Sequence, residues 1–199
     1  MSLQTLIIFL KAPRIGLVKT RLAQTIGPAT ARDAYKKLVE TLLQNLAPLA
    51  DVELRFAPDD AAAEIQLWKQ KNWTMRPQGK GDLGQRLQAA FAQNFSIGTE
   101  RVVIIGSDCP HVTAMDIESA WTALKTHDVV LGPARDGGYW LIGLRQLQPV
   151  LLENISWSTE TVLRETIQRA QKLFLKIYLL RELTDVDTEP EWREWNNQL

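Results

Sequence analysis

The chain has 199 residues, 45% hydrophobic and 23% charged, with 23 basic side chains against 23 acidic ones. That length suits one unit over residues 1–199 with a substantial core, and a zero formal charge argues against a broad grip on nucleic acid or an anionic membrane surface. Cys109 is the only cysteine, which excludes an internal disulfide framework and a cysteine-based zinc site.

The first ten residues, MSLQTLIIFL, contain an apolar run but no basic start and no small-residue cleavage site, and they are too few to span a bilayer. The expectation is a cytoplasmic protein. Residues 6–10 are apolar throughout and read as a buried strand. Residues 29–46 place Ala34, Leu38, Leu42 and Leu46 on one stripe of a helix. A strand over 52–56 alternates and stops before Pro58, and helical spacing follows over 60–71 and 83–95. Residues 101–106 are the clearest strand, β-branched and apolar on both faces. A helix over 114–125 and strands over 128–132 and 139–143 come next. Ser158 is placed to cap a helix with Glu160 in its first turn, and a strand over 174–180 ends the series. Trp192 and Trp195 are expected to pack the C-terminal tail onto the body. Strands alternating with helices predict a three-layer α/β/α fold with a mostly parallel mixed sheet.

In an open α/β sheet ligands gather beyond the carboxyl ends of the strands, so the loops there are the places to look for chemistry. After the first strand, Lys11, Arg14, Lys19 and Arg21 fall within eleven residues beside Gly16, ahead of a helix start. Backbone amides at a helix N-terminus favour an anion, and cationic side chains strengthen such a site. Neither GxxxxGK[ST] nor GxGxxG is present, and a solvated basic loop would carry the same residues. Gly106-Ser107-Asp108-Cys109-Pro110 closes the central strand. A carboxylate at that mouth is costly to bury alone, and a hard divalent cation, Mg²⁺ or Mn²⁺, is a natural partner; capping of the next helix is the plainer alternative. Asp136-Gly137-Gly138-Tyr139-Trp140 combines a tight turn with aromatic rings, as would a simple hairpin. In Asp185-Val186-Asp187, two acids spaced i, i+2 point the same way in extended chain, and one of them could meet Asp108 across a shared metal. Residues 78–87, with Gly79, Gly81 and Gly84 beside Asp82 ahead of a helix, are a second candidate loop for an anion or a base, as well as a plain Gly-rich turn.

The order of Lys19-Thr20-Arg21-Leu22, Gly106-Ser107-Asp108-Cys109-Pro110, Asp136-Gly137-Gly138-Tyr139, Trp157-Ser158-Thr159 and Asp185-Val186-Asp187-Thr188 resembles one family throughout. It is that of the small bacterial glycosyltransferase-like proteins of the nucleotide-diphospho-sugar transferase superfamily, some labelled arsenosugar-biosynthesis-type glycosyltransferases. The chain is similar, more distantly, to molybdopterin-cofactor and phospholactate nucleotidyltransferases. The resemblance implies the A-type glycosyltransferase fold and a nucleotide site in which Lys11, Arg14, Gly16, Lys19 and Arg21 face the phosphates. It further implies that Gly79, Asp82 and Gly84 border the base and ribose, and that Asp108 and Asp187 hold Mg²⁺ or Mn²⁺. Gly137, Gly138, Tyr139 and Trp157 would contact sugar or acceptor; Asp136, by its position in the same loop, is a candidate for contacting the sugar or deprotonating the acceptor hydroxyl. The expected reaction is metal-dependent transfer of a glycosyl group from a nucleotide-sugar to a small-molecule acceptor. Two alternatives stay open: nucleotidyl transfer from a nucleoside triphosphate to a phosphorylated small molecule with pyrophosphate release, and nucleotide binding without catalysis. Departures from the family patterns are the thinned glycines of the first loop and the single acid of Ser107-Asp108-Cys109.

Overall fold

A computed structural model describes residues 3–198, so the ends of the expected 1–199 unit lie outside the described residues. The chain runs β1 (Gln4–Lys11), α1 (Thr20–Ile26), α2 (Pro28–Asn45), β2 (Val52–Ala57), α3 (Ala62–Ile65), β3 (Thr74–Pro77), α4 (Leu83–Ser96) and β4 (Arg101–Ile105). It continues through α5 (Ala114–Ala123), β5 (Val129–Pro133), β6 (Tyr139–Leu144), α6 (Val162–Lys172), β7 (Ile177–Leu179) and α7 (Glu189–Asn196). The seven strands form one sheet in the order β3-β2-β1-β4-β6-β5-β7. Only β6 runs antiparallel to its neighbours β4 and β5, so the sheet is mixed and mostly parallel.

The period-2 geometry of a strand divides the core. On β1, Leu6, Ile8 and Leu10 join Val39 and Leu42 of α2 and Ile117 and Trp121 of α5 on one face. Ile7 and Phe9 join Leu87 and Phe91 of α4 and Ala170 of α6 on the other. Fully buried parallel strands need apolar residues on both sides, and this is why β1 and β4 read as unbroken runs. As expected from the sequence, the C-terminal tail is held by tryptophan: Trp195 packs with Leu38 of α2 and Val186, and Trp192 lies against the Leu22–Ala31–Ala34 cluster. Among the described residues no helix is long and apolar enough to cross a membrane.

Four elements differ from the sequence expectation. The predicted helix over 60–71 shrinks to α3 and a 3-10 turn, Gln66–Trp68, with no side-chain cap at its start. The edge strand β3 was not predicted; it is mostly exposed, so it lacks the alternation that marks a half-buried strand. Ser158 does not cap α6. Its backbone is left-handed, at φ 65°, whereas an N-cap is extended, and an extra turn delays the helix to Val162. The chain leaves α6 through Phe174, also left-handed at φ 56° and almost fully exposed, so β7 begins three residues later than predicted.

Candidate active site

The loops following β1, β4, β5 and β7 all open at one end of the sheet, because these strands are mutually parallel. The loop after β1 enters α1 through Lys19, whose backbone is left-handed at φ 48°. That turn aims the Lys19 side chain back over the sheet, where only 2% of it is exposed. The loop after β7 is docked against the loop after β4 by a 2.9 Å hydrogen bond from Val186 N–H to the Asp108 carbonyl. A capping box at the start of α7, in which Glu191 Oε2 accepts from the Asp187 and Thr188 amides at 2.7 and 2.8 Å, fixes the same segment.

These constraints bring Lys19, Asp108 and Asp187 together. Lys19 Nζ donates to Asp187 Oδ1 at 2.8 Å and to Asp108 Oδ1. Burial disfavours the Lys19 ammonium, but the two carboxylates reverse that and hold its pKa well above the usual lysine value. Burial likewise opposes ionisation of Asp108, and Lys19 and then Lys11 outweigh it, leaving the carboxyl below its ordinary pKa. Asp185 stands differently. Burial, and then the charges of Asp108, Asp187 and Asp136, push it up to about 7. Acid therefore outweighs base in this cluster.

Tyr35 organises the neighbouring wall. Its hydroxyl accepts from the Lys11 amide at 2.9 Å, donates to the Lys11 carbonyl at 3.1 Å and lies 3.1 Å from Ser107 Oγ. Gln78, also buried, donates to the Leu10 and Arg55 carbonyls at 3.0 and 3.1 Å and accepts from Arg86.

The cleft has two chambers that share Phe9, Leu83, Gly106, Asp108 and Ser158. The larger, about 550 Å³, is lined by Lys11, Lys19, Thr20, Arg21, Arg86, Ser107 and Asp187. The smaller, about 260 Å³, lies between β4, β6, α4 and the 157–162 segment and receives Asp136, Gly138, Tyr139, Trp157 and Asp185.

The expected residues thus divide into those at the cleft and those behind it. Lys11, Lys19, Arg21, Asp108, Asp136, Asp187, Gly138, Tyr139 and Trp157 line one chamber or the other. Arg14, Gly16, Gly79, Asp82, Gly84 and Gly137 line neither. Arg14 turns to Glu64 at 2.7 Å and Asp60 at 3.1 Å. Asp82 caps α4, accepting from the Gln85 amide at 2.8 Å. Gly84 is buried where a Cβ would come within 2.2 Å of the Leu152 carbonyl and 3.1 Å of Trp157 Nε1, and a Cβ on Gly137 would meet the Glu160 carbonyl at 2.2 Å. These two glycines permit chain packing behind the site. Gln78 and Arg86 belong to the 78–87 stretch that reads as an anion- or base-binding loop, and Asp185 is one of the two acids that the spacing offers to Asp108, although none of the three is assigned an individual role from the sequence. Tyr35 carries no such signal, since its partners Lys11 and Ser107 are distant in sequence.

Asp108, Asp185 and Asp187 offer the oxygen donors that a hard divalent cation prefers, and their excess of negative charge suits one. Yet among the described residues no three such groups already stand as a metal-holding set. The two acids expected to share a metal share the Lys19 ammonium.

The topology and this cleft define the nucleotide-diphospho-sugar transferase-like fold. The chain belongs to the bacterial family described as "Uncharacterized protein conserved in bacteria (DUF2064)", whose model matches residues 41–159. A crystal structure of a "putative nucleotide-diphospho-sugar transferase" from Desulfovibrio desulfuricans G20 is similar at 34% identity and a TM-score of 0.88, over 94% of this chain and 84% of that one. The fold is shared at 13% identity with 4-diphosphocytidyl-2C-methyl-D-erythritol synthase from Anaerococcus prevotii DSM 20548, with a TM-score of 0.63 over 99% of both chains. It is shared too with Rv0371c of Mycobacterium tuberculosis H37Rv, solved with manganese, at 13% identity and a TM-score of 0.60 over 98% of this chain and 99% of that one. No curated protein matches the chain.

Proposed function

We propose that the protein is a cytoplasmic transferase that uses a nucleotide-activated sugar and passes the glycosyl group to a small acceptor. One observation carries this reading: a cationic chamber and a cation-free chamber meet at Asp108. Lys11, Arg21 and Arg86 would hold the diphosphate of the donor in the larger chamber, with Lys19 beside them. The sugar would sit at the junction of the two chambers, over Gly106 and Asp108. The acceptor oxygen attacks the anomeric carbon, the bond from that carbon to the diphosphate oxygen breaks, and the acceptor proton passes to Asp136. The Asp136 carboxylate is held at the chamber rim by the Gly138 amide, which donates to its Oδ1 at 2.9 Å. Lys11, Arg21 and Arg86 stabilise the charge that develops on the leaving diphosphate. Asp108 and Asp187 would hold Mg²⁺ or Mn²⁺, which when bound supplies further neutralisation of that charge. Lys19 must then move off them. The similar Desulfovibrio protein supports the reading by its name, and the fold relatives support use of a nucleotide.

Nucleotidyl transfer is the second reading, favoured by the adjacency of Asp108 and Asp187 and by the cytidylyl-transferring fold relative. The two separate on products. Incubation with a panel of nucleotide-sugars and small alcohols, with Mn²⁺, is expected to release nucleoside diphosphate. Pyrophosphate released from a nucleoside triphosphate, without diphosphate release from any sugar donor, would reverse the assignment.

A further inference from the structure

We propose that the smaller chamber takes an uncharged, hydroxyl-bearing acceptor with a compact apolar body, and that it discriminates against phosphorylated molecules. The inference rests on the glycosyl-transfer reading and narrows its substrate class. The walls of the 260 Å³ chamber include Phe9, Leu87, Ile142 and Val162 with the rings of Trp140 and Trp157. A body hydroxylated on every carbon would leave groups without hydrogen-bond partners against such walls. The rings are set by their own contacts. Trp140 Nε1 donates to the Arg181 carbonyl at 3.2 Å, so that ring has only carbon left to offer a ligand. Trp157 stands edge-on to Tyr139 with centroids 6.3 Å apart, over the space that Gly84 leaves open.

The charged side chains of the chamber all have one sign. Asp108, Asp136 and Asp185 line it, and among the described residues no lysine or arginine does; those lie in the larger chamber. A phosphate monoester placed here would face Asp108, Asp136 and Asp185 with no lysine or arginine among the described lining residues, whereas a hydroxyl finds acceptors for its proton. The apolar floor and acidic rim together orient such an acceptor, body inward and hydroxyl towards the junction at Asp108.

The test uses benzyl alcohol, benzyl phosphate and glycerol as probes, titrated into the full chain by calorimetry with and without a saturating nucleoside diphosphate. Benzyl alcohol is expected to bind saturably, benzyl phosphate about tenfold more weakly or worse, and glycerol not detectably. Trp157→Ala should weaken benzyl alcohol by about tenfold. Asp136→Asn, in an exposed turn where Asn keeps the acceptor for the Gly138 amide, should narrow the gap between benzyl alcohol and benzyl phosphate; it decides the matter should Trp157→Ala fail to fold. Benzyl phosphate binding as well as the alcohol, or no benzyl alcohol binding at all, overturns the assignment. Thermal stabilisation by nucleoside diphosphates, read separately, keeps the two claims apart. Its absence beside intact benzyl alcohol binding removes the nucleotide reading alone, while nucleotide binding without benzyl alcohol binding removes the chamber assignment alone.

Discussion

Lys19 and Asp187 are 168 residues apart in the chain and 2.8 Å apart in the fold, and the same ammonium also holds Asp108. This one cation joins the loops that follow β1, β4 and β7, so it serves the architecture of the cleft as well as its charge. Lys19→Met keeps the length of the side chain and leaves the two carboxylates facing each other. The expected cost is about 1–3 kcal/mol, less than for a fully buried pair because both acids are partly exposed. The melting temperature should therefore fall by several degrees, and Mn²⁺ should recover part of the loss in the variant. A variant as stable as the parent, with no response to Mn²⁺, would remove Lys19 from this role.

The cations proposed for the phosphates can be told apart by their partners. Arg86 lines the larger chamber, with its Nε donating to the Gly81 carbonyl at 2.9 Å. Arg14 faces Glu64 and Asp60, and is raised in pKa by hydrogen bonds to those two acids. Arg86→Ala should weaken nucleotide binding by about tenfold, the scale of one charge-assisted contact. Arg14→Ala should weaken it by less than about twofold. Calorimetry with a nucleoside diphosphate reads both, and the reverse order would place the phosphates on the Arg14 side of the loop.

A pH dependence follows from Asp116, which completes the capping box of α5 by accepting from the Thr113 amide at 2.9 Å and receives Arg181 at 2.7 and 2.8 Å. Burial opposes its ionisation, but the hydrogen bonds from Arg181 and then Thr113 outweigh it and hold its pKa below the ordinary value. A carboxyl with a depressed folded pKa adds stability above its unfolded value, roughly pH 4, and loses it as pH falls through the folded one. Asp116→Asn, which keeps a capping oxygen, should cost about 1 kcal/mol at pH 7 and progressively less below pH 4. Denaturant melts across that range check it. A gap that stays constant with pH would assign the loss to packing. The residue also matters to the site, because Arg181 carries the carbonyl that fixes Trp140.

Much of this architecture is written locally. The unbroken apolar runs of β1 and β4 can only be strands buried on both faces, and the stripe through Leu38 and Leu42 can only be a buried helix side. From those elements the parallel sheet and the end that carries the loops follow. Lys19, Asp108 and Asp187 were therefore legible as residues of one place. What they do to each other was not, because the left-handed turn at Lys19 and the Val186 hydrogen bond decide it, and both depend on contacts across more than seventy residues. The same holds for the glycines. Sequence shows that Gly84 and Gly137 lack a side chain; only the approach of the Leu152 and Glu160 carbonyls shows which neighbour requires it. Composition and periodicity set the layers, since burial of apolar surface is local in pattern and non-directional. The sharing of one ammonium by two carboxylates, and the exclusion of every described cation from the smaller chamber, were decided by tertiary structure, since electrostatics acts through distances that the order of residues does not contain.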